Sequence, residues 1–239
     1  DSMTQHKNHK HAHPHKWMCM DIECEAGCGV VPFKYKDKSF VNALQWAIGL
    51  EIFLLAEDPW KVFLTTDHPN GGPFTSYPHL IKLLMDRSFR NDILNQLPKD
   101  IMEHTILHTL NREYTLNEIA IMTRSAPAKI LGLTKKGNFS NGSDADITIY
   151  DKRIKDPEEM FAHPSIVIKD GTVVVENGKI KKYIWGKTQT VSPEYDKSIE
   201  KNLGKFFEKY HTMKLDNYII SDDEMERLVG SPVHINECK

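Results

Sequence analysis

The chain has 239 residues, enough for one large domain or two small ones. Its composition, 40% hydrophobic and 27% charged, excludes a disordered, collagen-like or coiled-coil protein. Because 31 basic residues face 33 acidic ones, the formal net charge of −2 offers no strong attraction to nucleic acid or to an anionic membrane. No apolar run approaches the roughly 18 residues of a membrane-spanning helix. We therefore expect a soluble, cytoplasmic protein with neither kind of partner.

The first half of the chain alternates predicted strands and helices. Residues 17–23 and 61–66 are short apolar runs that predict strands, and residues 41–57 and 78–89 predict helices. Apolar residues surround the helix over 41–57, so we expect it to be largely buried. Strand, helix, strand and helix in this order are typical of a parallel sheet or barrel. Only about two strands of such a barrel are present.

The second half predicts a different architecture. Short helices are expected over residues 116–123 and 127–131, followed from residue 145 by β-rich runs separated by turns. Asp170-Gly171 and Asn177-Gly178 are strong hairpin signals, so the runs predict a small antiparallel sheet. The four predicted regions are a flexible His-rich lead-in (1–16), a partial barrel (17–131), a small β-domain (132–190) and a charged helical tail (191–239).

Asp67 is the first candidate catalytic residue. It follows the predicted strand over residues 61–66, where βα enzymes place reactive groups, and its loop is stiffened by Pro69, Gly71, Gly72 and Pro73. An Asp before Pro and Gly more often caps a turn through its side chain. On composition alone the capping role is favoured.

The balance changes because the sequence around Asp67 resembles a family signature. The segment Thr65-Thr-Asp-His-Pro-Asn-Gly-Gly-Pro-Phe74 resembles the A-type chain of formylmethanofuran dehydrogenase, and it is the most specific part of a resemblance that covers about residues 16–210. Further matching segments include Asp21-Ile-Glu23, Asn42-Ala-Leu-Gln-Trp-Ala-Ile-Gly-Leu-Glu51, Asp58-Pro-Trp60, Arg112-Glu-Tyr-Thr115, Pro127-Ala128 and Asp144-Ala-Asp-Ile147. The last two alone would indicate only the wider amidohydrolase superfamily.

The resemblance implies a fold, a metal centre and a reaction. It implies an α/β chain that supplies the last strands and helices of a (β/α)₈ TIM barrel, with a β-domain built from both chain ends. It also implies a binuclear Zn²⁺ site, of which Asp67 is the one ligand that maps onto this chain. The implied reaction is the reversible condensation of formate with the amine of methanofuran, in a complex with other subunits and the N-terminal portion of the same subunit.

Two further clusters could bind metal. His11-Ala-His13 has the spacing of a His-x-His ligand pair, but it lies in a lysine-rich segment where the resemblance places no such motif, so we expect a solvated lead-in. Cys19, Cys24 and Cys28 match neither ferredoxin spacing and lack a nearby fourth thiolate. We expect reduced, buried thiols rather than an iron–sulfur cluster.

Two alternative functions stay open at this stage. One is another cyclic-amide hydrolase of the superfamily, such as a dihydropyrimidinase-like enzyme, because the generic elements fit both. The other is a catalytically silent structural piece of a split subunit, because a chain without the remaining His and Lys ligands cannot assemble the zinc site alone.

Overall fold

The computed structural model describes residues 39–66, 68, 72–212, 214–218 and 221–237. The predicted strand over residues 17–23, and the lead-in before it, lie outside these ranges. The described part is a mixed α/β structure with a layer of helices and a four-stranded antiparallel sheet. None of its helices is long and apolar enough to cross a membrane.

Eight α-helices and six strands make up the described regular structure. The helices are α1 (Phe40–Leu55), α2 (Tyr77–Met85), α3 (Arg87–Leu94), α4 (Leu116–Ala120), α5 (Ala126–Ile130), α6 (Pro157–Ala162), α7 (Ile199–Tyr210) and α8 (Asp222–Val229). The strands are β1 (Ile147–Ile149), β2 (Ile166–Lys169), β3 (Thr172–Glu176), β4 (Lys179–Ile180), β5 (Gln189–Ser192) and β6 (His234–Glu237).

Helix α1 is buried on one face only, which corrects the expectation of a largely buried helix. Its buried stripe, Ala43, Ala47, Leu50 and Leu54, follows the helical repeat and packs into the main core. The core partners come from α2, α3, the segment 97–107 and residues 116–122, and include Leu83, Leu84, Ile101, Leu107, Ile119 and Met122. A second apolar stripe is solvent-exposed in the described structure: Val41, Ile48, Ile52 and Leu55. The sequence showed apolar residues all around this helix but could not indicate which of them would pack into the core.

The helix predicted over residues 78–89 is two helices. Asp86 separates α2 from α3, with an extended backbone and a carboxylate that accepts a hydrogen bond from the Phe89 N–H at 2.9 Å. An Asp in this conformation is a strong N-cap, so it starts a new helix rather than continuing the old one.

Arg90 on α3 is fully buried. Its guanidinium donates to the carbonyl oxygens of Leu83 at 2.8 Å, Arg112 at 3.0 Å and Leu110 at 3.4 Å. Burial lowers the pKa of Arg90 because the charged form loses water. The side chain thereby joins the end of α2 to the extended segment before α4.

Residues 61–66 do not form the predicted strand. A 3₁₀ turn occupies Pro59–Lys61, and residues 62–66 are extended but belong to neither described sheet. A strand exists only where a neighbour pairs with it, and that neighbour is not a local property of the sequence. The apolar side chain of Leu64 is nevertheless buried, in agreement with its position in the apolar run.

The two short helices over 116–131 form one continuous rod. A capping box of Thr115 and Glu118 starts α4, and a single π-helical turn, Ile121–Ser125, joins α4 to α5. Pro127 lies in the first turn of α5, where its missing N–H is no loss. Both predicted helices are therefore present, with an unpredicted π turn between them.

The predicted antiparallel sheet is confirmed, with order β1-β2-β3-β4. Two-residue turns at Asp170-Gly171 and Asn177-Gly178 connect β2 to β3 and β3 to β4. All four turn residues have positive φ, between 49° and 74°, as type I′ hairpins require. The last strand of the sheet, β4, is only two residues long and ends at Ile180.

The C-terminal region contains the predicted helix α7 and one feature that no local pattern predicted. Strand β5 pairs in parallel with β6, so that Gln189 lies opposite His234 and Ser192 opposite Glu237. Both ends of the excursion over residues 193–233 are held by this pair. Helix α7 has no buried residue within the described structure.

Candidate functional site

The segment that leads to Asp67 is fixed by local hydrogen bonds. Asp58 caps the 3₁₀ turn by accepting from the Trp60 N–H at 3.0 Å. Leu64 is buried, and its carbonyl accepts from the Tyr77 hydroxyl at 3.4 Å. Thr66, directly before Asp67, is also buried. The chain therefore enters the candidate loop from a fixed, buried position.

Asp67 itself lies outside the described residues, as do residues 69–71, so its side-chain geometry stays a prediction. The described flanks show how the loop closes. His68 accepts a hydrogen bond at Nδ1 from the Phe74 N–H at 3.3 Å, and the two rings pack edge to face with centroids 4.9 Å apart. A side-chain carbon at Gly72 would lie 3.9 Å from the Thr66 carbonyl oxygen. Residues 66 and 72, and residues 68 and 74, therefore approach each other.

The hydrogen bond at Nδ1 assigns the tautomer of neutral His68. Because Nδ1 accepts from a backbone N–H, the ring proton of the neutral form is on Nε2. His68 is exposed, so its Nε2–H is available to groups beside the loop. The ring of His68 thus braces the loop on one side and presents a donor on the other.

A cavity of about 690 Å³ lies beside the loop. Its lining combines the buried flank of the loop with residues of α2, the π turn and α6, including Leu64, Phe74, Tyr77, Ile81, Arg124 and Phe161. This places open space next to the segment that carries Asp67.

A complete metal site is not formed by the described residues. Across the described ranges, no group of three or more His, Cys, Asp or Glu side chains could hold a metal ion. His11, His13 and the three cysteines at positions 19, 24 and 28 fall outside those ranges, so their predicted roles stay untested. The donor set of the described part therefore does not by itself fit a binuclear centre.

The segment Arg112–Thr115, which contributed to the family resemblance, has a structural role. The guanidinium of Arg112 donates to the carbonyls of Leu54 and Ala56 at the end of α1, where a positive charge is favoured, and to Glu118 at 3.0 Å. Thr115 and Glu118 cap α4 reciprocally. Burial alone would raise the pKa of Glu118, but hydrogen bonds from Thr115 and Arg112 outweigh burial and lower it.

The segment Asp144-Ala-Asp-Ile147 is also structural. Asp146 accepts from Lys136 at 2.7 Å, from Lys169 at 2.6 Å and from the Asp170 N–H at 2.9 Å. Asp144 pairs with the same Lys136 at 2.8 Å. Burial opposes both charges, yet the hydrogen bonds raise the pKa of Lys136 and lower that of Asp146. This ion network ties the loop after α5 to the β2–β3 hairpin.

Comparison with known proteins identifies the family. The model of the amidohydrolase family matches residues 2–175, which is more than half of the chain. The chain belongs to the amidohydrolase family. Among amidohydrolase relatives, it is 42% identical over 231 residues to the FhcA chain of the formyltransferase/hydrolase complex Fhc of Methylorubrum extorquens, covering 97% of this chain and 42% of the relative. It is also 42% identical over 219 residues to protein FwdA of Methanocaldococcus jannaschii, covering 87% of this chain and 38% of that protein.

A solved amidohydrolase relative supports the fold. A chain of the X-ray structure of the formyltransferase/hydrolase complex FhcABCD from Methylorubrum extorquens, determined with methylofuran, matches with a TM-score of 0.73 and 40% sequence identity. The match covers 87% of this chain and 38% of that one. The chain thus spans about two fifths of the length of these relatives. The expected resemblance to the A-type chain is confirmed, and the alignment of 231 residues is longer than the expected span over 16–210.

The sequence did not reveal which matching segments hold the fold and which remain for function. Arg112 and Asp146 direct their charges to backbone carbonyls and to lysines of the same chain. The loop from Thr65 to Phe74 carries the predicted ligand Asp67, which lies outside the described residues. It stays the candidate site of this amidohydrolase chain.

Proposed function

We propose that the chain is the C-terminal part of a formylmethanofuran dehydrogenase A-type subunit, which interconverts an N-formyl amide with formate and an amine. The observation that supports this most is the 42% identity to both FhcA and FwdA over most of the chain. The name of the first relative describes a formyltransferase/hydrolase complex. We therefore also propose further subunits, methanofuran and formate as partners of the complete protein.

In this proposal Asp67 is both a zinc ligand and the proton carrier. Bound zinc would supply Lewis acidity and lower the pKa of a coordinated water to about 7. During hydrolysis, the Asp67 carboxylate accepts the proton released as water adds to the formyl carbon. It then returns that proton to the amine nitrogen as the carbon–nitrogen bond breaks. The remaining zinc ligands are proposed to belong to the part of the subunit that this chain does not contain.

The described flanks supply the rigidity that this role needs. Thr66, the residue before Asp67, is buried, and His68, the residue after Asp67, contacts Phe74. A carboxylate that must serve a metal and a water molecule cannot move freely, because small displacements cost large factors in rate.

Asp67→Asn in the complete subunit, assembled with its partners, tests this proposal. We expect loss of turnover with an intact fold, because Asn keeps the size but loses the charge and basicity. The matched control is Asp58→Asn, which weakens the cap of the 3₁₀ turn and an exposed ion pair with Lys61. Formate release from N-formylfurfurylamine measures turnover, and the zinc content measures metal binding. Activity of Asp67→Asn within about tenfold of the wild type, a barrier change below about 1.4 kcal/mol, would contradict the assignment.

The two alternatives predict different measurements. A dihydropyrimidinase-like enzyme would hydrolyse dihydrouracil, whereas the proposed subunit would not. In a silent structural piece Asp67 would bind no zinc, so Asp67→Asn would leave both the zinc content and the turnover of the complete, assembled subunit unchanged. Loss of zinc and of turnover in Asp67→Asn would reject the silent role. The Asp144–Ile147 segment does not distinguish these functions, because its carboxylates are engaged in the ion network.

A further inference from the structure

A second cavity, of about 410 Å³, lies between the helical rod and the antiparallel sheet. Its floor is a stripe of Leu116, Ala120 and Arg124, spaced four residues apart on one face of the rod. Its walls are β1 with the residues that follow it, α6, and the loop over residues 137–139. We call this space the rod–sheet cavity.

The body of the rod–sheet cavity is apolar. Leu116, Ile147, Met160 and Phe161 line it, and the exposed ring of Phe139 stands at its edge. Phe161 packs at a tilt against Tyr150, with centroids 4.8 Å apart. A ligand for this space needs an apolar portion, and aromatic rings on the wall favour an aromatic one.

The acceptor side chains of the cavity are already engaged. Asp146 accepts three hydrogen bonds from Lys136, Lys169 and the Asp170 backbone. The side-chain oxygen of Asn138 accepts from Ser140 and Ser143, and its amide donates to backbone carbonyls. These groups have little capacity left for a ligand.

The donor side chains are not fully engaged. Arg124 donates to the hydroxyl oxygens of Thr123 and, at 3.0 Å, of Tyr150. A guanidinium has five N–H donors, so three remain. Lys152 also lines the cavity, and within the described part of the chain neither Lys152 nor Arg124 pairs with a carboxylate. The Tyr150 hydroxyl accepts from Arg124 and keeps its own proton to donate.

We propose that the rod–sheet cavity binds an organic anion, a carboxylate joined to an apolar or aromatic body. Its uncommitted groups are donors, and two of them are positively charged. A carboxylate accepts only, and it suits the fork of a guanidinium. The carboxylate contacts Arg124 and Lys152, and the apolar body packs on Leu116, Met160 and Phe161. Arg124 also borders the cavity beside the Asp67 loop, whereas Lys152 lines only the rod–sheet cavity. Lys152 therefore favours the rod–sheet cavity as the binding site.

The test compares two probes of the same shape on the complete protein. Phenylacetate carries the charge at pH 7, and phenylacetamide replaces the carboxylate by a neutral amide. We expect calorimetric titration to show saturable binding of phenylacetate and binding about tenfold weaker for phenylacetamide. Arg124→Gln and Lys152→Gln should each weaken phenylacetate binding by about tenfold, the size of one charge-assisted hydrogen bond.

Arg153→Gln is the matched control, since Arg153 pairs with Asp151 and does not line the cavity. It should leave the affinity unchanged. The probe comparison needs no variant, so a variant that unfolds does not remove the test. Equal affinity for the two probes, an unchanged affinity of folded Arg124→Gln and Lys152→Gln, or no saturable binding up to about 20 mM phenylacetate would each overturn the proposal.

Discussion

Replacement of Arg90 by Met should destabilise the protein more than any surface change of the same type. The guanidinium makes two well-formed hydrogen bonds, at 2.8 Å to Leu83 and 3.0 Å to Arg112, and one long bond to Leu110. Met fills much of the same volume but leaves these carbonyls without their donor. A hydrogen bond that involves a charged group contributes about 1.5–3 kcal/mol.

The cost of burying the guanidinium partly offsets that gain. Its pKa is lowered by burial, and its Nε has no hydrogen-bond partner in the described structure. We therefore expect a net loss of about 3 kcal/mol for Arg90→Met, near the lower end for breaking a buried charged interaction. In a chain of this size each kcal/mol shifts the melting temperature by about 2–4 °C, so a decrease of roughly 6–12 °C should follow.

Thermal unfolding followed by circular dichroism measures the effect. The control is Arg153→Met, whose guanidinium pairs with Asp151 at an exposed position and should leave the melting temperature almost unchanged. Hydrogen exchange adds a local measurement, since the Tyr114 N–H donates to Leu84 next to the Arg90 contacts and should exchange faster. A melting temperature of Arg90→Met within about 2 °C of the wild type would refute a net stabilising role.

Three further predictions concern charge, backbone geometry and the exposed face of α1. Asp146→Asn should destabilise the protein at pH 7. Because the folded-state pKa of Asp146 is lowered, its contribution to the free energy of unfolding is present above about pH 4 and declines as the pH falls below that value. The urea midpoint of the variant should therefore depend less on pH below 4 than that of the wild type. Gly137→Ala should cost more stability than Gly142→Ala, because both glycines have positive φ but an added carbon at 137 would lie only 2.8 Å from the Ala128 side chain, whereas the space at 142 is open; equal melting temperatures would show that the contact relaxes freely. The isolated chain should oligomerise or aggregate through the exposed stripe of α1, and Ile52→Glu should increase the monomer fraction in size-exclusion chromatography. An unchanged monomer fraction would show that a different surface drives the association.

Local signals predicted the parts of the fold that local physics decides. Asp170-Gly171 and Asn177-Gly178 predicted both hairpins because few other residue pairs adopt two positive φ angles. The capping residue Asp86 was an available signal for the break between α2 and α3, but the continuous apolar pattern concealed it. The strand over residues 61–66 was wrong because strand formation depends on a neighbour, and the β5–β6 pair was missed because its partners are distant in sequence.

For the candidate site, the family resemblance of the segment from Thr65 to Phe74 selected Asp67, and the structure describes only its flanks. The contact between His68 and Phe74 depends on how the loop folds back, which residue identity does not reveal. The rod–sheet cavity was also missed, although Leu116, Ala120 and Arg124 have the four-residue spacing of a helix face. Its unpaired donors become visible only when the partners of Asp146 and Asn138 are known.

The parallel pair β5–β6 holds together two distant parts of the C-terminal region. An isolated two-stranded ribbon is only marginally stable, yet this one holds both ends of the excursion that carries α7 and α8. Opening this one short ladder would therefore release residues 193–233 together. A protease cut inside the excursion would leave two pieces joined by this ladder, so the pieces would separate when the ladder opens.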